Sequence, residues 1–343
     1  MNKNKAVSIV DVARLAGLSQ ATVSRVLNKS GYFSHDTLEK VEQAVKTLGY
    51  EPNWMARGLK GKPSKLVGLI IPDISNVFYT AVAKSMLDAL ENAGYEMVLC
   101  VNDEDPQKDL AYLRVLEQKR VDGILYAHPS GGSNAIYLRE LLHAGIPIVE
   151  VNRQREVNLL DAVLPDNTRG VQQMMKYLLS LGHRRIALIN GSDKTTTGSE
   201  RLAGYHTALA EAGIKPDPNL LKIGSFNREF GEQAMSELLD LPFDERPTAV
   251  FAGSNRIALG VLFVLGQREI HIPAEISVAA FDDTEWLAAW NPPVTAVDIA
   301  VHEMSQLAVD LLIRRMNETE MVSKPVTYHL GTSLIIRQSC TAI

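Results

Sequence analysis

Two cysteines in 343 residues, Cys100 and Cys340, are too few for a disulfide framework or a thiolate metal cluster, and both lie in strand-like segments. No run approaches the ~18 consecutive apolar residues of a membrane span. The opening Met1-Asn2-Lys3-Asn4-Lys5 lacks the apolar region of a secretory leader, so a reduced cytoplasmic setting is the simplest expectation. The phosphate-cradling patterns G-x-G-x-x-G and G-x-x-x-x-G-K-[ST] are missing, as is the G-x-S-x-G elbow. Those absences count against an enzyme, and neither a cofactor nor a metal is expected. His183, in Gly182-His183-Arg184-Arg185, reads as a turn or surface residue and not as a base. Asp103-Glu104-Asp105 reads as a solvated loop and helix cap and not as a metal site.

What is present is an uneven charge. Residues 1–65 carry eleven Lys/Arg against five Asp/Glu, leaving 24 basic and 35 acidic residues for the rest. A basic head on an acidic body implies that the head alone meets a polyanion. The length suggests two or three folding units at ~100–200 residues each.

The head reads as three helices. Ser8 and Asp11 have the spacing of a capping box, and Ile9, Val12 and Leu15 or Ala16 form an apolar stripe. Gly17 supplies a turn, and Ser19 caps a second helix from Gln20 to about Asn28 in which Val23, Val26 and Leu27 face inward. Ser34 starts a third, with Leu38, Val41, Val45 and Leu48 at helical spacing and Gly49 closing it. Two helices joined by a short glycine turn read DNA when the second presents polar groups; otherwise they make a plain three-helix bundle. Here Arg25 has the fork for a guanine, Gln20 and Ala21 can reach base edges, and Ser19, Thr22, Ser24 and Asn28 suit phosphates and positioning.

From Leu66 onward, apolar runs (LVGLIIP, YEMVLCV, DGILYA, PIVEVN) alternate with helical patterns near 77–93, 105–118 and 134–144. A second series (RIALIN, LLKIG, TAVFAG, ISVAAF) alternates with helices near 170–181, 199–212, 228–239 and 254–266. Such alternation predicts two doubly wound parallel sheets, with ligands held beyond the carboxyl ends of the strands.

The stretch SIVDVARLAGLSQATVSRVLNKSGYFSHDTLEKVEQAVKTLGYEPN resembles the DNA-binding head of the LacI/GalR family. PDISNVFY, DNTRG, LGHRRIALING, ERLAGYHTAL and IPAEISVAAFDD extend the likeness through a body similar to periplasmic sugar-binding proteins. The resemblance implies a helix-turn-helix domain over 1–50, a hinge helix or linker over 51–64, and a ligand-sensing domain over 65–343. The chain would cross between subdomains three times, giving an N-subdomain of about 65–162 and 291–322 and a C-subdomain of about 163–290 and 323–343.

In the family the hinge enters the minor groove. Leu59 matches its wedging leucine, Asn53 and Arg57 join the DNA contacts, and Lys60 and Lys62 can meet phosphates. Gly58 weakens this helix by ~1 kcal/mol relative to Ala, so it should be marginal alone and order on DNA; a flexible linker with an incidental leucine is the alternative. The family's effector positions fall here on Asn76, Phe78, Tyr79, Ser130, Thr197, Arg201, Phe226, Ser254, Asn255 and Asp282. Arg201 and Asp282 would equally suit a structural ion pair, and Phe78 and Phe226 a core. Two departures leave the sugar open: His128-Pro129-Ser130-Gly131-Gly132 lacks a carboxylate some members have, and Asn255 replaces a common Asp. The implied molecule is a repressor that binds pseudo-palindromic operator DNA as a homodimer and answers a small sugar-like effector. A transporter's solute-binding protein would need export and no such head. The end at Ile343, with no leucine heptads, suggests a dimer over a tetramer.

Overall fold

The computed structural model describes residues 7–27, 32–50, 63–155, 158–318 and 324–343, in two compact units divided after Ser64. In the first unit, α1 (Ile9–Ala16), α2 (Gln20–Leu27) and α3 (His35–Leu48) enclose a small core of Val12, Ala13, Val23, Val26, Val41 and Ala44. Local chemistry sets their ends. Ser8 and Asp11 form the expected capping box, and Gly17 ends α1 at φ 65°, where a side chain would be strained. Ser34 accepts from the Thr37 N–H to start α3. Of the two residues that could complete the α1 stripe, Ala16 packs against the core and Leu15 is exposed.

The second unit contains two six-stranded sheets. The first has the order β11-β5-β4-β3-β1-β2, built from β1 (Leu66–Ile71), β2 (Glu96–Val101), β3 (Gly123–Tyr126), β4 (Ile148–Val151), β5 (Asp161–Pro165) and β11 (Thr327–Leu330), all parallel. The second has the order β12-β10-β9-β8-β6-β7, from β6 (Ile186–Gly191), β7 (Leu221–Gly224), β8 (Ala249–Ala252), β9 (Ser277–Phe281), β10 (Thr295–Ile299) and β12 (Thr332–Ile335). Only β12 in that sheet runs antiparallel to its neighbour.

Helices cover both faces of each sheet, so the inner strands are buried on both sides, while the edge strands β2, β7, β11 and β12 are part-exposed. Val67, Leu69 and Ile71 of β1 join a core with α4 (Val77–Asn92) and α12 (Val301–Asn317), while Ile70 joins α5 (Pro106–Gln118) and α6 (Ala135–His143). In the second sheet, Leu188 and Phe251 face α7 (Asn167–Ser180) and α8 (Thr196–Glu211). Ile189 and Val250 face α9 (Arg228–Leu239) and α10 (Asn255–Gln267). A short α11 (Glu285–Ala289) follows β9.

The chain crosses between the sheets at places other than 162/163, 290/291 and 322/323. Strand β10 pairs with β9 in the second sheet, so the first sheet's returning segment begins at α12 and not at residue 291. Strand β11 pairs with β5 and keeps 327–330 in the first subdomain. The apolar runs alone do not say which sheet edge each late strand joins. Cys100 sits in β2, but Cys340 lies beyond β12 and outside any strand. Among the described residues, no helix is long and apolar enough to cross a membrane, and no group of three potential metal ligands converges.

His183 corrects its sequence reading: it is fully buried, with Nδ1 2.9 Å from Thr248 Oγ1 and Nε2 3.0 Å from Ser277 Oγ. Burial pushes its pKa below the usual 6.5. The unfolded chain therefore takes up this proton first as the pH falls. The stabilisation from the neutral ring is complete above pH 6.5 and is lost below it, on approach to the lower folded-state value. Melting temperature should decline from pH 7 to pH 5, and less steeply in His183→Gln; parallel curves for the two proteins would refute the assignment.

Helices α9 and α10 touch through glycine. A Cβ on Gly231 would lie 2.4 Å from the Ile257 carbonyl oxygen, and one on Gly260 2.2 Å from that of Arg228. Gly260→Ala should therefore destabilise the domain by ~1–3 kcal/mol, the usual range for overpacking, in urea titrations.

Candidate functional site

In the head, Val23 and Val26 bury one side of α2, which fixes what the other side shows. Gln20, Ala21 and Arg25 are exposed, and Ser24 and Thr22 are half-buried beside them. Ser19 acts as a cap: its Oγ accepts from the Thr22 N–H at 3.1 Å and lies 2.8 Å from Thr22 Oγ1. The helix thus presents an arginine and an amide outward from its first two turns. Asn28, Asn53, Arg57 and Leu59, with the hinge residues Gly58, Lys60 and Lys62, lie outside the described residues.

In the second unit, the ten expected ligand residues all follow the carboxyl ends of strands, in loops or the first two helical turns. Asn76, Phe78 and Tyr79 follow β1, Ser130 follows β3, Thr197 and Arg201 follow β6, Phe226 follows β7, Ser254 and Asn255 follow β8, and Asp282 follows β9. Parallel strands place these ends on one rim of each sheet.

Arg201 is the anchor of the second rim. It is 2% exposed and sends Nη2 to Asp282 Oδ1 at 3.1 Å, Nε to Asn167 Oδ1 at 2.9 Å and Nη1 to the Gly253 carbonyl. Its guanidinium lies 3.6 Å from the centroid of Phe281 and 5.9 Å from that of Phe226. Burial raises the Asp282 pKa, and the Arg201 charge opposes that rise. Asp282 also holds φ at 68°, a strained conformation for a non-glycine residue that places its carboxylate at the strand end.

Several residues serve the fold as well. Asn76 and Ser254 cap α4 and α10, accepting from the N–H groups of Phe78 and Ile257. Thr197 is buried, with its Oγ1 2.8 Å from that of Thr195. Phe78 is 5% exposed and belongs to the main core, whereas Phe226 is only partly buried. Ser130 donates its N–H to Glu104 Oε2 at 2.6 Å. Among the described residues, the rims meet where Asn255 Nδ2 donates to Asn76 Oδ1 at 3.2 Å, where the Gln154 N–H donates to Thr196 Oγ1 at 2.9 Å, and where Arg153 stands 5.9 Å from the Phe226 ring.

Sequence reasoning missed the centre of the first rim. Arg153, after β4, is 4% exposed and places Nη1 2.9 Å from Glu104 Oε1 and 3.2 Å from Oε2. Glu104 is thus a part-exposed loop residue whose carboxylate is engaged by Arg153, while its neighbours match the loop-and-cap reading: Asp105 caps α5, and Asp103 pairs with Lys108. Burial pushes the Glu104 pKa up, but Arg153 and the Ser130 N–H outweigh it and hold the carboxyl below its usual range. The same surroundings, burial first and Arg153 next, lower His128 to about 4, so its ring is neutral at pH 7. The available signal was the placement of Asn152-Arg153-Gln154 directly after a buried strand, where a long polar run cannot be core.

Comparison with known proteins agrees with this geometry. Residues 8–53 match the model of bacterial regulatory proteins of the lacI family, and residues 175–340 match that of the periplasmic binding protein-like domain. The chain is 37% identical over 298 residues to the HTH-type transcriptional regulator DegA of Bacillus subtilis (strain 168), covering 87% of this chain and 88% of DegA. The transcriptional regulator CelR in complex with cellobiose has a TM-score of 0.73 at 32% identity, covering 97% of this chain and 99% of CelR. The Lac repressor dimer bound to operator and the anti-inducer ONPF has a TM-score of 0.85 at 26% identity, covering 98% of this chain and 100% of that one. A helix-turn-helix head, two strand-end rims and relatives matched over most of their length lead to one assignment: the chain belongs to the LacI family of DNA-binding transcriptional regulators.

Proposed function

We propose that the protein is a homodimeric repressor whose affinity for a pseudo-palindromic operator is set by a small sugar-like metabolite bound between the two subdomains. The observation that carries this reading is the pairing, in one chain, of an outward-facing Arg25 on α2 with the buried Arg201–Asp282 pair on a strand-end rim. In it, residues 1–50 supply the address, 51–64 the hinge and 65–343 the sensor. Arg25 reads a guanine, Gln20 and Ala21 reach neighbouring base edges, and Ser19, Thr22, Ser24 and Asn28 set the register on phosphates. Asn53 and Arg57 contact the DNA of the central minor groove, and Leu59 wedges a base step there.

On the sensing side, Arg201, Asp282, Asn76, Asn255, Ser130, Ser254 and Thr197 meet hydroxyls, and Tyr79, Phe78 and Phe226 cover apolar ring faces. CelR, solved with cellobiose, supports the sugar class. The molecule works by binding alone, without turnover, in the compartment that holds the DNA. Ligand affinity that differs between two subdomain arrangements would shift the operator-binding population.

Arg25→Ala should lose ~1–3 kcal/mol of discrimination between operator and random DNA, whereas Lys62→Ala should weaken both alike and reduce the salt slope by about one. Fluorescence anisotropy across a salt series separates the two; equal effects of both variants on both DNAs would exclude this recognition scheme. Arg201→Lys keeps the charge but loses the fork. It should retain operator binding while losing the change that a bound sugar produces, and a normal response in gel-shift titration would remove Arg201 from the site.

A further inference from the structure

The first rim carries a feature that the sugar reading does not use. We infer that Arg153 and Glu104 form a second ligand clamp, one that engages the hydroxyls of an uncharged saccharide and turns away sugar phosphates and sugar acids. The inference rests on the cleft reading given above and adds to it a chemical class and a selecting pair.

Backbone geometry sets the pair. Glu104 and Asn152 hold φ at 60° and 66°, costly for non-glycine residues, at the ends of β2 and β4. These turns bring the Glu104 carboxylate to Arg153, whose Nη1 also reaches the His128 carbonyl at 3.3 Å. The Arg153 guanidinium lies 5.9 Å from the centroid of Tyr79 on its own subdomain and 5.9 Å from Phe226 on the other. Since Arg201 stands at the same distance from Phe226, two guanidiniums from opposite walls border one aromatic ring.

Unmatched polar atoms identify the ligand's chemistry. Arg153 Nε, Asn152 Oδ1 and Asn190 Oδ1 are buried without a hydrogen-bond partner. The Asn190 amide is held in one orientation, because its Nδ2 donates to the Gly198 carbonyl at 2.9 Å, and Asn152 Nδ2 donates to Tyr79 Oη at 3.2 Å. The set therefore asks for donors as well as an acceptor. A hydroxyl does both, whereas a phosphate dianion or carboxylate only accepts and would leave the two oxygens unanswered.

Charge points the same way. Glu104 already neutralises Arg153 and His128 is neutral, whereas Arg155 gives its Nη1 to the Ser130 carbonyl at 3.2 Å and keeps its charge. An added anion would meet the carboxylate that Arg153 holds in place, and like charges repel.

The test uses the full-length protein, with thermal shift and calorimetry at constant ionic strength. Probes are inorganic phosphate, glucose, cellobiose, glucose 6-phosphate and glucuronate. Wild-type protein should show no shift with phosphate beyond the sodium chloride control, and no panel anion should bind more tightly than its neutral parent. Glu104→Gln should start less stable, be stabilised by phosphate, and gain at least about tenfold in affinity for the anionic probes. The double variant Glu104→Gln/Arg153→Gln, in which the charge is removed from both partners, should again ignore phosphate. Phosphate binding to wild type, or a Glu104→Gln protein that folds and does not respond, overturns the clamp. If Glu104→Gln does not fold, wild type and the double variant still decide: phosphate binding to either overturns the clamp. If no neutral saccharide stabilises wild type in a wider panel of unmodified sugars, it is the sugar-cleft function that fails. The phosphate arm judges the clamp separately.

Discussion

A guanidinium that is 2% exposed must have its N–H groups answered from within the protein, and Arg201 organises the second subdomain around that requirement. Its three polar partners come from the first turn of α7, the loop after β8 and the residue after β9. Phe281, the last residue of β9, provides the apolar face against which it lies. One side chain thus ties one helix start and two strand ends together. Loss of either charged partner would leave the other buried and unpaired, a defect of ~3–5 kcal/mol.

The first subdomain solves a similar problem differently. Burial opposes the charge on both Arg153 and Glu104, yet Tyr79 and Glu104 hold the guanidinium protonated and Arg153 holds the carboxylate ionised. At Arg201 and Asp282 burial is the stronger influence on both partners. Unanswered polar atoms remain on both walls, Arg153 Nε and Asn152 Oδ1 on the first and Asn190 Oδ1 on the second. Helix caps add rigidity, because Asn76 and Ser254 cannot move without releasing the first turns of α4 and α10.

Much of this was legible in the sequence, and the exceptions have a common cause. The head was readable because caps, glycine turns and valine spacing act within about ten residues, and Ser8, Gly17, Ser34 and Gly49 behave as their chemistry dictates. The inner strands were readable because burial on both faces leaves uninterrupted apolar runs. The Arg153–Glu104 pair, 49 positions apart, depends on strand order and on two left-handed backbone turns that no local pattern reports. The same holds for His183, whose partners lie 65 and 94 residues away, and for β10 and β11, whose sheet membership is decided by pairing alone.

The contacts across the cleft differ in strength from those within each wall. Asn255 to Asn76 and Gln154 to Thr196 are neutral hydrogen bonds, each worth ~0.5–1.5 kcal/mol net. The walls themselves are held by ion pairs, caps and sheet packing. This ordering favours movement of the subdomains as bodies, with little change inside either. A shift of a two-state population from 1:99 to 99:1 needs ~5.5 kcal/mol of differential affinity. Hydrogen bonds from hydroxyls to charged groups contribute ~1.5–3 kcal/mol each. On the proposed reading, roughly two to four such bonds made in only one arrangement would move the equilibrium nearly to completion. Weak direct contacts between the rims are therefore what a ligand-controlled regulator requires, because stronger ones would fix the arrangement before any ligand bound.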